Sequence, residues 1–371
     1  MVDWPATNNV MSTQTVDFLL VGQGLAGSLL SYHLLEQGGS VRVINTQHHR
    51  PSASRAAAGL YNPITGRKLV KTWRADALFP YLERCYAELE QKLAATFFHP
   101  TPIYRPLASA EDQNAWAVQS GDPAFAEFVQ EVSLTSRYGN LVHDARGGLL
   151  LRRCGYVDVP ELLRAYRSFL VRQGSYEEAV FDFEQLEVHD RHVRYRGWTA
   201  RRLIFCEGAT ARDNPYFSWL PFRPVKGEML SIRTEEALPV IMNRGVFVIP
   251  HAHPNQSNLC RVGSTYDHHD LSDAPTEKAR QTLRQKLDQL LVTPYEVLDQ
   301  WAGVRPATRD RLPFIGNHPK HEPLGIFGGF GSKGVSLAPY FAQHFVHCLL
   351  KNQPVDEEVT ILRYYPKYHP S

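Results

Sequence analysis

An α/β fold is predicted for this chain by three observations. The run Phe18–Val21 is short, apolar and closed by a glycine turn, as befits a strand buried on both faces. The turn leads into a helical pattern that ends near Gly38–Gly39, and then into a second apolar strand, Val41–Ile44. Far downstream, Leu203–Cys206 repeats the buried-strand pattern and ends in small residues. Strands that alternate with helices in this way assemble into a mostly parallel sheet.

Residues 1–15, MVDWPATNNVMSTQT, have neither the basic nor the apolar region of a signal peptide and read as a disordered tail. The first ordered unit follows. Gly22, Gly24 and Gly27 give GxGxxG between a strand and a helix, with Leu25 and Ala26 at the helix start. Glycines there let a pyrophosphate approach the amides of a helix N-terminus, where the dipole favours negative charge, so a dinucleotide is expected. The ribose-binding acid of such units lies about 20 residues on. Here Asn45 stands 23 residues after Gly22, and an amide cannot supply the charged grip. The fingerprint alone leaves the nucleotide undecided.

Composition narrows the function. Among 371 residues, 43% are hydrophobic and 21% charged, as in a globular protein with a large core. Forty basic against thirty-eight acidic side chains leave +2, which does not point to nucleic acid or anionic lipid. The five cysteines are scattered without a CxxC pair, which argues against a zinc site or disulfide framework and suits a reducing cytosol. No apolar run reaches the roughly 18 residues of a membrane span, so no membrane partner and a cytoplasmic location are expected. Histidines at His251, His253, His268 and His269 lie among turn residues, and no metal site is assigned to them. The arginine-rich RYRGWTARR, Arg194 to Arg202, reads as an exposed hairpin rather than an RNA platform. From Thr276 an amphipathic helix turns Leu283, Leu287 and Leu290 inward.

Further blocks carry more information. PSASRAAAG, from Pro51, suits a segment pressed against phosphates and a flat ring, and it includes Ser54, Arg55, Ala58 and Gly59. WAGVRPATRDRLPFIGN runs from Trp301, and GIFGGFGSKGVSLAPYFAQHF from Gly325. In the latter, Gly331, Ser332, Lys333 and Gly334 precede a helix from about Val335 to Leu350, and a helix N-terminus with a lysine is a seat for negative charge. With the glycine turn, these blocks resemble the D-amino-acid oxidase-like family of FAD-dependent amine and amino-acid oxidoreductases. Weaker echoes occur at GYVDVPELLRAY, RLIFCEGA, PVKGEML and FVIPHAHPNQSNLCRVGSTYD, so the likeness runs from about residue 16 to about 350.

The resemblance implies FAD, held noncovalently because the tethering cysteine of some relatives has no counterpart. It implies a ribose contact at Asn45, a backbone contact to adenine near Gln185 in FEQLEV, and a close approach at Gly208 in RLIFCEGA. It places Lys333 near the flavin edge that turns negative on reduction. It maps the arginine that holds a substrate carboxylate onto Arg305, for which a structural role beneath the flavin is the alternative. Arg309 and Asp310 are expected to pair locally. Phe247 stands where the glycine-oxidase branch has an aromatic hydroxyl, which makes glycine itself a doubtful substrate, and Tyr266 is a candidate for the pocket or its rim.

The fold implied is a Rossmann-like FAD-binding domain of segments 16–85, 150–222 and 300–371, interleaved with an antiparallel-sheet substrate domain of 86–149 and 223–299. The activity implied is oxidation of the C–N bond of an amino acid or N-substituted glycine by hydride transfer to flavin, with a small-molecule amine or amino acid as partner. ATRDRLPFIGN and GSKGVSLAP also resemble the oxidase half of the bifunctional enzyme that builds methylaminomethyl-uridine in tRNA. The oxidase fold takes up all 371 residues, which leaves the tRNA role as the alternative. A flavin-bound protein without catalysis is a third reading.

Overall fold

The structure, a computed structural model, describes residues 14–46, 53–66, 69–251 and 258–365. It is built on two eight-stranded sheets. The first runs from edge strand Tyr176–Glu178 through Val41–Asn45 and Gln14–Val21 to Trp198–Phe205, all parallel. Beyond Trp198–Phe205 the sheet divides. The first half of that strand pairs antiparallel with Val193–Tyr195, which pairs in turn with Leu186–Val188, and its second half pairs with the parallel strand Leu324–Gly328. The parallel strands at the centre are those expected from the two buried apolar runs.

Alternation explains why this sheet is buried on both faces. Phe18, Leu20, Val43 and Ile204 join a core shared with helices Leu25–Glu36, Ala75–Leu93, Val159–Arg172 and Gly334–Lys351. Leu19, Val21, Leu203 and Phe205 join a second, aromatic-rich core on the other side. No helix among the described residues is long and apolar enough to cross a membrane.

The second sheet has the order Tyr295–Arg305, Val225–Thr234, Leu259–Gly263, Val246–Pro250, Ile241–Arg244, Ile103–Pro106, Gly148–Leu151 and Val129–Ser133. Only the pairing of Ile241–Arg244 with Ile103–Pro106 is parallel. One face shares the helical core through Met229, Ile241 and Ile249. The other receives Leu283, Leu287 and Leu290 from helix Glu277–Leu290, as its periodicity predicts.

Several details differ from expectation. The first strand begins at Gln14, two residues inside the stretch read as a tail. The segment boundaries expected at 85, 149 and 299 fall inside Ala75–Leu93, Gly148–Leu151 and Tyr295–Arg305. Hydrogen-bonded elements run through those points because one helix and two strands serve both halves of the molecule. Pro51 and His253 lie outside the described residues.

Candidate active site

The glycine turn is shaped by backbone contact. Gly22 has φ +102°, and a Cβ there would stand 2.6 Å from the carbonyl oxygen of Cys206. A Cβ on Gly27 would stand 1.9 Å from the carbonyl oxygen of Gly22, so only glycine lets the helix begin this close to the strand. Gly24 caps the helix without any side-chain hydrogen bond. The amide of Leu25 donates to Ser54 Oγ at 3.1 Å, while those of Ala26 and Gly27 make no hydrogen bond among the described residues. A narrow turn with unspent donors at a helix start fits the pyrophosphate of a dinucleotide.

A second helix start lies beside the first. A Cβ on Gly334 would meet Leu25 Cδ2 at 3.5 Å, which brings the N-termini of Leu25–Glu36 and Gly334–Lys351 together. Lys333 is the N-cap, and the amides of Ser332, Gly334 and Val335 make no hydrogen bond among the described residues. Lys333 keeps an exposed side chain, and partial desolvation of its ammonium, with Arg311 as a second cause, lowers its pKa. Two dipole ends and a cation thus converge on one region.

The segment 53–59 joins this region to the second sheet. Trp301 Nε1 donates to the carbonyl of Ala56 at 3.1 Å, and a Cβ on Gly303 would stand 2.5 Å from Ala56 Cβ. Ala58 and Gly59 are buried behind, with Gly59 against the Val157 carbonyl, and Arg55 is exposed. The Gly331 amide donates to Pro306 at 3.1 Å, immediately after Arg305.

Arg305 ends the strand Tyr295–Arg305. Its Nη1 donates to the Thr265 carbonyl at 3.1 Å and its Nη2 to Ser264 Oγ at 2.7 Å, and its Cζ lies 4.6 Å from the Tyr266 ring centroid. These bonds use two of five guanidinium N–H donors. Desolvation lowers the pKa of Arg305, and Tyr266 opposes the shift. Arg305 is in no ion pair among the described residues, so part of its charge is held without a carboxylate partner. Phe247 covers Gly263, with Cζ 2.6 Å from where a Cβ would stand, and Met229 lies on the same side. Tyr266 is 66% exposed, so it is a rim residue over the guanidinium.

The remaining predicted residues divide. Asn45 reaches the glycine turn, where its Oδ1 accepts from the Gln23 amide at 2.9 Å and its Nδ2 donates to Tyr176 Oη at 3.3 Å. Gly208 opens a short helix two residues past Cys206, whose carbonyl lies against Gly22. Gln185 does not join them. It sits before the hairpin strand Leu186–Val188, at the opposite end of the strand order from Val41–Asn45, bonded to Asp182 and Arg196. The chain crosses the sheet before that hairpin forms, and the strand beside Asn45 is Tyr176–Glu178 instead. Asp310 also departs from expectation: it pairs with Arg363 at 2.9 Å and accepts from Tyr364 Oη, not from Arg309. The hairpin expected in RYRGWTARR forms, turning at Arg196 and Gly197 with positive φ.

Sequence reasoning missed the Ser264–Thr265 clamp on Arg305 and the carboxyl of Glu207. Burial pushes Glu207 up to about 7, against the lowering effect of its 2.7 Å hydrogen bond from Asn214. Gly227 inside a buried strand was the readable sign of a close approach, because glycine weakens a strand unless something must fit against it. The five cysteines are free and buried, and the described residues contain no group of three His, Cys, Asp or Glu that could hold a metal.

The family whose description is FAD dependent oxidoreductase matches residues 17–347. The chain is 25% identical to the glycine oxidase of Pseudomonas putida over 370 residues, covering 93% of this chain and 96% of that one. It is 22% identical to the tRNA 5-methylaminomethyl-2-thiouridine biosynthesis bifunctional protein MnmC of Leptospira interrogans over 402 residues, covering 93% of this chain and 59% of that one. The crystal structure of glycine oxidase from Bacillus cereus superposes with a TM-score of 0.73 at 19% identity, covering 92% of this chain and 96% of that chain.

Proposed function

The chain belongs to the family of FAD dependent oxidoreductases, and from that membership we propose that it oxidises the C–N bond of an amino acid or an N-substituted glycine. The observation that carries this reading is Arg305, a guanidinium at the mouth of the second sheet with three N–H donors unspent and no acidic partner among the described residues. Such a group takes a carboxylate in bidentate fashion and stays charged at any working pH. The likeness to a glycine oxidase over nearly the whole chain supports the same class of substrate.

FAD, when bound, supplies the two-electron acceptor. Arg305 fixes the substrate carboxylate, and fixed orientation lowers the barrier to reaction. The Phe247 and Met229 side chains give that position an apolar wall. Lys333 and the free amides of Gly334 and Val335 favour negative charge at the start of the C-terminal helix. The amine lone pair closes a C=N bond as hydride leaves carbon, and water then hydrolyses the imine.

The test is the visible spectrum of the holoprotein, recorded anaerobically while glycine, sarcosine, proline and larger N-alkyl glycines are added in turn. Bleaching by one of them, abolished in Arg305→Ala with FAD still bound, is the expected result. No bleaching by any of them overturns the reading. A second reading, action on a modified uridine of tRNA, draws on the Leptospira relative and predicts turnover that requires RNA and is lost after ribonuclease treatment.

A further inference from the structure

The strand Val225–Thr234 works on both faces. Gly227 and Met229 face the Arg305 side, and by alternation Lys226 and Glu228 face the other. Lys226 is 1% exposed, and its ammonium donates to Asp270 Oδ2 at 2.5 Å, Ala274 O at 2.6 Å and Ser272 Oγ at 3.2 Å. All three of its donors are spent on one loop. Its backbone exchanges hydrogen bonds with Asp267 at 2.8 and 3.0 Å. Glu228 completes the attachment: its carboxylate accepts from the Thr276 amide at 2.7 Å and hydroxyl at 2.8 Å, and its amide donates to Thr265 Oγ1 at 2.9 Å.

The loop held in this way is the one that grips Arg305. It leaves the strand Leu259–Gly263 and at once presents Ser264 Oγ, the Thr265 carbonyl and the Tyr266 ring to the guanidinium. An ion pair made by a buried lysine is poor evidence for net stability, since desolvation of the ammonium offsets most of the attraction. Its directional bonds do specify where the loop sits.

We infer that Lys226 is a positioning residue for substrate recognition: by fixing the 264–276 loop from behind, it sets the angle at which Arg305 meets a carboxylate. The inference rests on the reading of Arg305 as the carboxylate-binding group. Lys226 touches no substrate in this arrangement, and its effect passes through Ser264 and Thr265. A bulky or conformationally free loop would leave Arg305 charged but aimed over a range of angles, which weakens a bidentate contact far more than a simple charge contact.

The test uses the FAD-loaded full chain and methoxyacetate, the sarcosine isostere with oxygen in place of nitrogen, followed by its perturbation of the flavin band. Lys226→Met should fold, because the Asp270 side chain is 39% exposed and can be hydrated, and the buried Glu228 carboxylate, 3.7 Å from the ammonium, keeps its hydrogen bonds from Thr276 and Gln300. The expected result is methoxyacetate binding weakened about tenfold and KM for the bleaching substrate raised alike, with kcat and FAD content nearly unchanged. Asp270→Asn should act in the same direction by about threefold, and it carries the test if the Lys226 variant fails to fold. Unchanged methoxyacetate binding in a folded Lys226→Met, or loss of kcat and FAD together with binding, overturns the inference. Arg305→Ala run in parallel separates the two claims. If it abolishes binding while Lys226→Met and Asp270→Asn do not, only the positioning role fails; if it too has no effect, the carboxylate reading falls and the positioning role with it.

Discussion

The guanidinium of Arg305 lies on the backbone of Gly227: a Cβ at that position would stand 2.0 Å from Nη2 and 2.3 Å from Cζ. Gly227 and Gly303 are direct partners across the two strands, so two facing side-chain positions are left empty beside the guanidinium. Gly227→Ala should therefore push the guanidinium off its seat without unfolding the sheet. Misplacement by about 1 Å costs up to about a hundredfold in rate, and KM for a carboxylate substrate should rise by at least tenfold. Steady-state kinetics with FAD content measured on the same sample check this; wild-type KM in the alanine variant contradicts it.

The glycines of the turn differ in what they tolerate. A Cβ on Gly27 meets backbone at 1.9 Å and has no rotamer to escape through, whereas one on Gly24 meets only Ser54 Oγ at 3.2 Å. Gly27→Ala should lower stability by about 1–3 kcal/mol, as forced overpacking does, and lose FAD with it. Gly24→Ala should keep a near wild-type thermal midpoint and still bind FAD more weakly, because its methyl stands where the turn opens. Thermal unfolding of the apoproteins and the ratio of flavin to protein absorbance distinguish the two. Equal losses of stability in both variants would contradict the assignment.

What was legible in the sequence was local and periodic. Phe18–Val21, the glycine spacing and the leucines of Glu277–Leu290 each announce an element whose burial follows from period alone. The convergence of Ser54 and Gly334 on the glycine turn was legible only as a family likeness, since nothing in the spacing of residues so far apart encodes it. Gln185 shows the limit: FEQLEV reads as a strand, and it is one from Leu186, but the side of the sheet it joins depends on a crossing that no local pattern records. Asp310 shows another, because its partners Arg363 and Tyr364 lie some fifty residues away in the chain, beyond the reach of any local pattern. The clamp on Arg305 was hidden for the same reason, being made by a carbonyl and a serine that carry no signature of their own.

Asn45 offers a direct test of the cofactor grip. Its Oδ1 already accepts from the Gln23 amide, a role aspartate retains, and the charge gained would strengthen any hydrogen bond from a ribose hydroxyl. Asn45→Asp gives up the 3.3 Å bond to Tyr176, the longer of the two Asn45 contacts. The expected outcome is FAD affinity raised by about three- to tenfold, since charge-assisted hydrogen bonds are roughly twice as strong as neutral ones. Titration of apoprotein with FAD, followed by flavin fluorescence, measures it. Unchanged or weaker binding would place the ribose contact elsewhere.

Glu207 makes the chain's stability depend on pH in a direction opposite to that of most carboxylates. Burial raises its folded pKa from the ordinary 4.5 to about 7, so between those values the folded state binds more protons than the unfolded. Its contribution to stability is then fully present below pH 4.5 and is lost as pH rises through about 7. Glu207→Gln keeps an acceptor for Asn214 and removes the titration. Relative to wild type, the variant should gain stability progressively from about pH 5 to pH 8, to at most about 3 kcal/mol. Urea denaturation of both apoproteins across that range gives the difference directly, and because every other titrating group is common to the two proteins, a gap that stays flat with pH would show that Glu207 is ionised in the folded state throughout.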